Sequence, residues 1–387
     1  MSIDAAVLIR EAEGATGLAD WGGDAFHELF FRQLLGAMVH DLNHEANLTA
    51  EGMKAIKLRL EGVLEARLAF VASNRRRPQI AEEQIVAPLF ITGLPRSGTT
   101  FLHGLLARDV RNFAPRTFEM MFPVPAPAPG ADDPRLERTE QILECIGLLR
   151  AEIQALHPFG ASAPEEDHLM QEILLLGDQF PAYWRLPGYA RLRAGLPRGL
   201  GWTVHRQVLQ TLQNGREAGR VLLKHPGHIF DIGGLLATYP DALIVQTHRD
   251  PAKVIPSVAA LLVAVRGLGS SIAPDGNKIA RVNLGAFQAC LDALIELRQD
   301  GNVDRHFVDV NFRDLVTEPM ATVQRIYQAF DIELTAASRT SMETWLNDPS
   351  SKTPKGAHNL AGFGLERAAV DQAFTRYREH FGIAAET

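Results

Sequence analysis

A chain of 387 residues with 46% hydrophobic content is long enough to bury a large core, as one big domain or two smaller ones. Its net charge of −7 argues against a nucleic-acid binder, which shows a basic face, and leaves room only for a local basic pocket. Cys145 and Cys290 stand far apart without metal-ligand spacing, which fits a reducing compartment and no disulfide framework. The chain meets acids early and opens with no secretory outline. Its longest apolar run, Val254–Val265, is broken by Pro256 and Ser257 and is too short for a membrane span. The expectation is a cytoplasmic protein.

Residues 1–87 read as helical. Phe26, Leu29, Phe30, Leu34 and Leu35 recur at helical spacing, and Ile56, Leu60, Leu64 and Leu68 share a face of a second helix from about residue 50 to 72. Thr49 is placed to cap that helix, and Arg75-Arg76-Arg77 reads as its solvated end rather than as a binding patch. This segment is expected to pack on the core or to support a homo-oligomer.

After Pro88, Leu89-Phe90-Ile91-Thr92 reads as a buried strand, Gly93 opens a turn that ends at Gly98, and an apolar helix pattern follows through Leu106. Strand, glycine-bounded loop and helix build an anion site: backbone N–H groups converge on the anion and the helix N-terminus adds partial positive charge. The two glycines have the spacing of a P-loop, but Thr99 stands where a nucleotide triphosphatase has its lysine, and the only cation in the loop is Arg96. The pattern favours anion binding and disfavours ordinary ATP or GTP chemistry, with a bland strand-to-helix turn as the alternative.

Residues 113–119 are expected to hold a second short strand, with Glu119 leaving it toward the crevice where such sheets bind ligands; a carboxylate at a helix start is the other reading. Pro134 to His157 reads as one amphipathic helix. Pro164-Glu165-Glu166-Asp167 then looks like a helix start with acids in the first turn. Phe180, Tyr183, Trp184, Tyr189 and Trp202 suit either ordinary core or a pocket. Two further strands follow, Arg220–Lys224 and Leu243–His248. Lys224 ends an apolar strand, where a merely solubilising lysine is unexpected. Asp250 before Pro251 is a candidate helix cap, and Ser257 lies eight residues beyond Arg249. Residues 267–276 carry glycines and serines and are expected to be mobile, a candidate lid. A late strand is expected at 306–310, helices around it, and a polar loop from Trp345 to Lys355.

Gly93-Leu94-Pro95-Arg96-Ser97-Gly98-Thr99-Thr100 resembles the phosphosulfate-binding loop of sulfotransferases, in the bacterial branch related to tyrosylprotein and carbohydrate sulfotransferases. The family uses 3′-phosphoadenosine 5′-phosphosulfate (PAPS). The resemblance implies an α/β fold with a P-loop-type parallel sheet flanked by helices over residues 88–387, and a helical insertion at about 123–219 on the acceptor side. It implies that Arg96, Ser97, Gly98, Thr99 and Thr100 hold the phosphosulfate and that Arg249 and Ser257 hold the 3′-phosphate. Lys355 and Gly356, beside Lys352, would belong to a basic loop that folds over the nucleotide. Lys224 is carried over as the cation that meets the transferring sulfonate.

Sulfonyl transfer shares the logic of phosphoryl transfer, mostly positioning plus stabilisation of charge. A base must take the acceptor proton; the family's glutamate base after its second strand points to Glu119, with His157 and Glu166 behind it. Arg96 and Lys224 would meet the developing charge, so no metal is expected. The acceptor is expected to be a hydroxyl or amine of a small molecule, lipid or carbohydrate. A kinase-like P-loop transferase and a non-catalytic nucleotide-binding relative are the alternatives.

Overall fold

The computed structural model describes residues 2–126, 131–197, 199–216, 219–348 and 358–386. The chain divides into two compact units. One comprises Met1–Gln84, Pro115–Glu217 and Ala264–Pro274, the other Ile85–Ala114, Ala218–Val263 and Asp275–Thr387.

The second unit is built on five parallel strands: β1 (Leu89–Gly93), β2 (Asn112–Phe113), β3 (Arg220–Lys224), β4 (Leu243–His248) and β5 (Phe307–Asn311), in the order β2-β3-β1-β4-β5. The central strands are continuous apolar runs because helices cover both faces of a parallel sheet. Leu89, Ile91, Leu222, Val245 and Val310 are buried together with Leu102, Leu105 and Leu106 of the helix that leaves the loop. At about 25 cal/mol per Å² of apolar surface, such a cluster is the main source of this unit's stability. β1 lies between β3 and β4, with Ile91 opposite Lys224 and Gly93 opposite Thr247. The ends of these three strands therefore lie side by side, where an open parallel sheet presents its ligands.

The first unit is helical. Its long helix Ala50–Arg76 starts where Thr49 accepts the Gly52 N–H at 3.0 Å, and Ile56, Leu60, Leu64 and Leu68 are fully buried. Its last arginines are exposed. Leu29, in contrast, is 64% exposed despite its helical spacing. Arg59 and Glu172 form an ion pair buried inside this unit, and burial pushes the Arg59 guanidinium down to about 10.

Three expectations are corrected. The helix begun at Pro134 stops at Ile146, because Gly147 adopts the left-handed conformation and its N–H closes onto Leu143. Residues 267–276 are not loose: the Gly269 carbonyl accepts the Thr49 N–H and the Asn47 carbonyl accepts the Ser271 N–H, both at 2.8 Å. Gly52 and Gly269 pack backbone to backbone, so close that a Cβ on Gly52 would sit 2.1 Å from the Gly269 oxygen. Trp345 belongs to the helix Ala336–Asn347 rather than to a loop, and its ring packs 5.6 Å from Phe101.

Candidate active site

The loop after β1 needs its glycines. Gly93 has φ 130°, and a Cβ there would lie 2.2 Å from the Thr247 carbonyl oxygen. Gly98 has φ 98°, and a Cβ would press on Leu315 and Phe312. Arg96 itself takes a left-handed φ of 67°, an uncommon conformation for a residue with a Cβ. The turn is tied internally. The Ser97 hydroxyl donates to the Leu94 carbonyl and lies 2.6 Å from the Thr247 hydroxyl, which meets the Thr92 carbonyl at 3.2 Å. Gly98 is the residue before the helix Thr99–Leu106 and supplies no side-chain cap. The first N–H groups of that helix thus face the loop without a capping side chain, the arrangement that accepts an anion. Ser97 and Thr99 are buried, Thr100 half-buried.

Arg249, just past β4, reaches back to this loop. Its Nη1 donates to the Arg96 carbonyl at 3.0 Å, and its guanidinium lies 3.9 Å from the Phe312 ring centroid. Arg96 Nε in turn donates to the Ser257 hydroxyl at 3.1 Å. Loop arginine, strand-end arginine and helix serine therefore form one hydrogen-bonded group, although the first lies more than 150 residues from the other two in sequence. Asp250 caps the following helix, accepting the Ala252 N–H at 3.1 Å. Lys224 closes β3 and is fully buried, one of the largest side chains in the chain to be so. Next to it, the His225 N–H donates to the Ile91 carbonyl and the Thr92 hydroxyl donates to the His225 carbonyl, both at 3.1 Å. These bonds fix the strand end that carries the lysine.

The acid–base candidates lie in the helical unit. Glu119 is not at a strand end; it sits in the first turn of the helix Thr117–Met121, since β2 stops at Phe113. It is buried, and its Oε2 accepts the Arg116 N–H at 2.9 Å while its Oε1 accepts from Arg216. Burial alone would raise its pKa, but hydrogen bonds from Arg116 and the charges of both arginines outweigh burial and lower it.

His157 and Glu165, both buried, meet at 3.1 Å through Nε2 and Oε2, and the imidazole packs 4.4 Å from the Phe159 ring. Glu165 Oε1 accepts the Glu166 N–H at 2.9 Å, and the Glu166 carboxylate is half-buried, 3.8 Å from His168 Nε2. The expected helix start is present: Asp167 opens a 3-10 helix, and its side chain is fully buried, 3.8 Å from His205. Met121, Ile142, Leu143, Phe159, Leu169 and Glu165 line a small cavity of about 10 Å³.

Lys352, Lys355 and Gly356 lie outside the described residues. Two features had no sequence signal. Thr247, which braces the loop, is an ordinary strand residue until β4 registers it beside Gly93. Glu386 pairs with Arg249 at 3.1 Å from the far end of the chain.

A model of the sulfotransferase family matches residues 88–336. Omega-hydroxy-beta-dihydromenaquinone-9 sulfotransferase Stf3, from Mycobacterium bovis and from Mycobacterium tuberculosis, is 28% identical over 262 residues. That match covers 64% of this chain, and the chain spans 63% of the length of these curated relatives. Among solved structures, sulfotransferase STF1 from Mycobacterium tuberculosis aligns over 97% of this chain and 99% of its own, with a TM-score of 0.76 at 27% identity. Sulfotransferase STF9 from Mycobacterium avium aligns over 99% and 97%, with a TM-score of 0.84 at 24% identity, and speaks for the fold. No described helix is long and apolar enough to cross a membrane. Loop, strand order and matched sequence agree: the chain belongs to the sulfotransferase family.

Proposed function

We propose that this protein transfers the sulfonate group of PAPS to an alcohol of a lipid-like acceptor. One observation carries the donor half: Arg96, Ser257 and Arg249 are drawn into a single hydrogen-bonded group beside a glycine loop and a helix N-terminus. Arginine forks suit phosphate oxygens, and loop amides suit a phosphosulfate. Thr99 at the place of the P-loop lysine leaves no side chain there to grip a triphosphate, which disfavours the kinase-like alternative. The lipid-like acceptor is inferred from the similarity to Stf3.

In the reaction, the acceptor oxygen attacks sulfur and the bond from sulfur to the 5′-phosphate oxygen breaks. Adenosine 3′,5′-bisphosphate leaves and the acceptor gives up a proton. Arg96, Lys224 and the amides of residues 97–100 are assigned to the charge that develops on the sulfonate and the leaving phosphate. Arg249 and Ser257 are assigned to the 3′-phosphate, which distinguishes PAPS from ATP, and Lys355 and Gly356 are assigned to the nucleotide on the family resemblance alone. Of the base candidates, Glu119 has both oxygens engaged and a lowered pKa, so it is a poor proton acceptor. His157, oriented by Glu165, has the make-up of a general base, with Glu166 as the alternative.

The donor reading is tested by calorimetric titration with adenosine 3′,5′-bisphosphate, and with ADP plus magnesium, on the wild type and Arg249→Ala. Metal-independent binding of the bisphosphate, weakened at least tenfold in Arg249→Ala, is expected, as for loss of a charged phosphate contact at roughly 1.5–3 kcal/mol. A preference for ADP with magnesium overturns it.

A further inference from the structure

Arg249 is already engaged by an anion of the chain itself. Its Nε lies 3.1 Å from Glu386 Oε1 and its Nη2 lies 3.2 Å from Glu386 Oε2, two oxygens against two guanidinium nitrogens. That is the geometry in which a guanidinium receives a phosphate. The backbone of Glu386 is pinned separately. Its N–H donates to Asp250 Oδ2 at 2.8 Å, Arg367 Nη2 donates to the same oxygen at 3.0 Å, and Arg367 Nη1 reaches the Glu386 carbonyl at 3.3 Å. The carboxylate can therefore swing off Arg249 while the backbone keeps its place. The pair is also within reach of a ligand, since the Arg249 and Glu386 side chains are 22% and 33% exposed.

An ion pair this exposed contributes little to the fold. It matters for any anion that must replace it. Resting on the reading that Arg249 takes the 3′-phosphate of the donor, we propose that Glu386 is a displaceable counter-ion of the donor site, whose carboxylate holds the Arg249 fork until a phosphate takes its place. It lowers the affinity for every ligand that carries a phosphate there. When adenosine 3′,5′-bisphosphate leaves, the carboxylate refills the fork, so the product departs without stranding a cation. A nucleotide that lacks the 3′-phosphate leaves the pair intact and is indifferent to it.

The test is calorimetry on the full chain, wild type against Glu386→Gln, with adenosine 3′,5′-bisphosphate and with adenosine 5′-monophosphate. Glu386→Gln is expected to bind the bisphosphate about two- to fivefold more tightly, the scale of one partly exposed ion pair, with the monophosphate unchanged. Glu386→Asp, one methylene too short to keep the contact, carries the same expectation and guards against a folding defect in the first variant. Equal or weaker bisphosphate binding in both variants overturns the proposal, as does an equal gain for both nucleotides. If the wild type does not distinguish the two nucleotides and Arg249→Ala changes neither, it is the donor reading that fails, whatever Glu386 does.

Discussion

Glu119 and His157 show how neighbours decide what a side chain can do. A carboxylate that accepts hydrogen bonds from two arginines and a backbone N–H is stabilised in its charged form, which makes it a weaker base. An imidazole held by a buried carboxylate keeps its orientation. Glu119→Gln should accordingly lower sulfonate transfer to a long-chain alcohol by less than about tenfold, while thermal stability falls. His157→Gln should lower kcat by on the order of 10²-fold or more, with donor affinity kept. Initial rates with labelled PAPS decide between them. A larger loss in Glu119→Gln would return the base role to that residue.

At the scale of elements, the joint between β1 and the loop is the tightest point of the sheet. Gly93→Ala places a methyl group against the Thr247 carbonyl at a φ that alanine avoids, and should cost about 3 kcal/mol in denaturant unfolding. Gly233→Ala is the control. It lies in the helix Ile232–Thr238 with nothing within 4 Å of the added carbon, and should stabilise by about 0.5–1 kcal/mol. The core elements were legible for the same reason that they are stable. Leu89–Gly93, Arg220–Lys224 and Leu243–His248 are short apolar runs punctuated by turn residues, and the parallel sheet buries them on both faces. The helical unit was harder to read. Glu165 and Asp167 read in sequence as acids at a helix start, and they are also buried beside histidines that lie 8 and 38 positions away, a pairing no local pattern announces. Residues 267–276 have the composition of a mobile segment and are held by backbone bonds to residues 47 and 49, which composition cannot reveal.

Over the whole molecule, carboxylates held by hydrogen bonds set the acid limit. Burial raises the pKa of Asp109, but hydrogen bonds from Arg111 and from the Tyr327 hydroxyl outweigh it and hold the carboxyl at about 2, below its ordinary 3.8. Asp309 is depressed as well, as hydrogen bonds from Arg298 and His248 overcome burial. A depressed carboxyl contributes stability above its unfolded pKa and loses it as pH falls through the folded one. The melting temperature should therefore fall between about pH 4 and pH 2, and Asp109→Asn, less stable at pH 7, should show a flatter acid limb over that window. An unchanged acid limb in thermal melts would sink the assignment.

The bond from Arg249 to the Arg96 carbonyl also means that the two arms proposed to hold the donor's anions are fastened to each other. The register of β4 on β1, with Thr247 opposite Gly93, sets the spacing of the strand ends that carry them. If Arg96 and Arg249 hold the two charged ends of the donor as proposed, the site works as a caliper set at one opening: a nucleotide with the right charges at the wrong span would satisfy only one jaw.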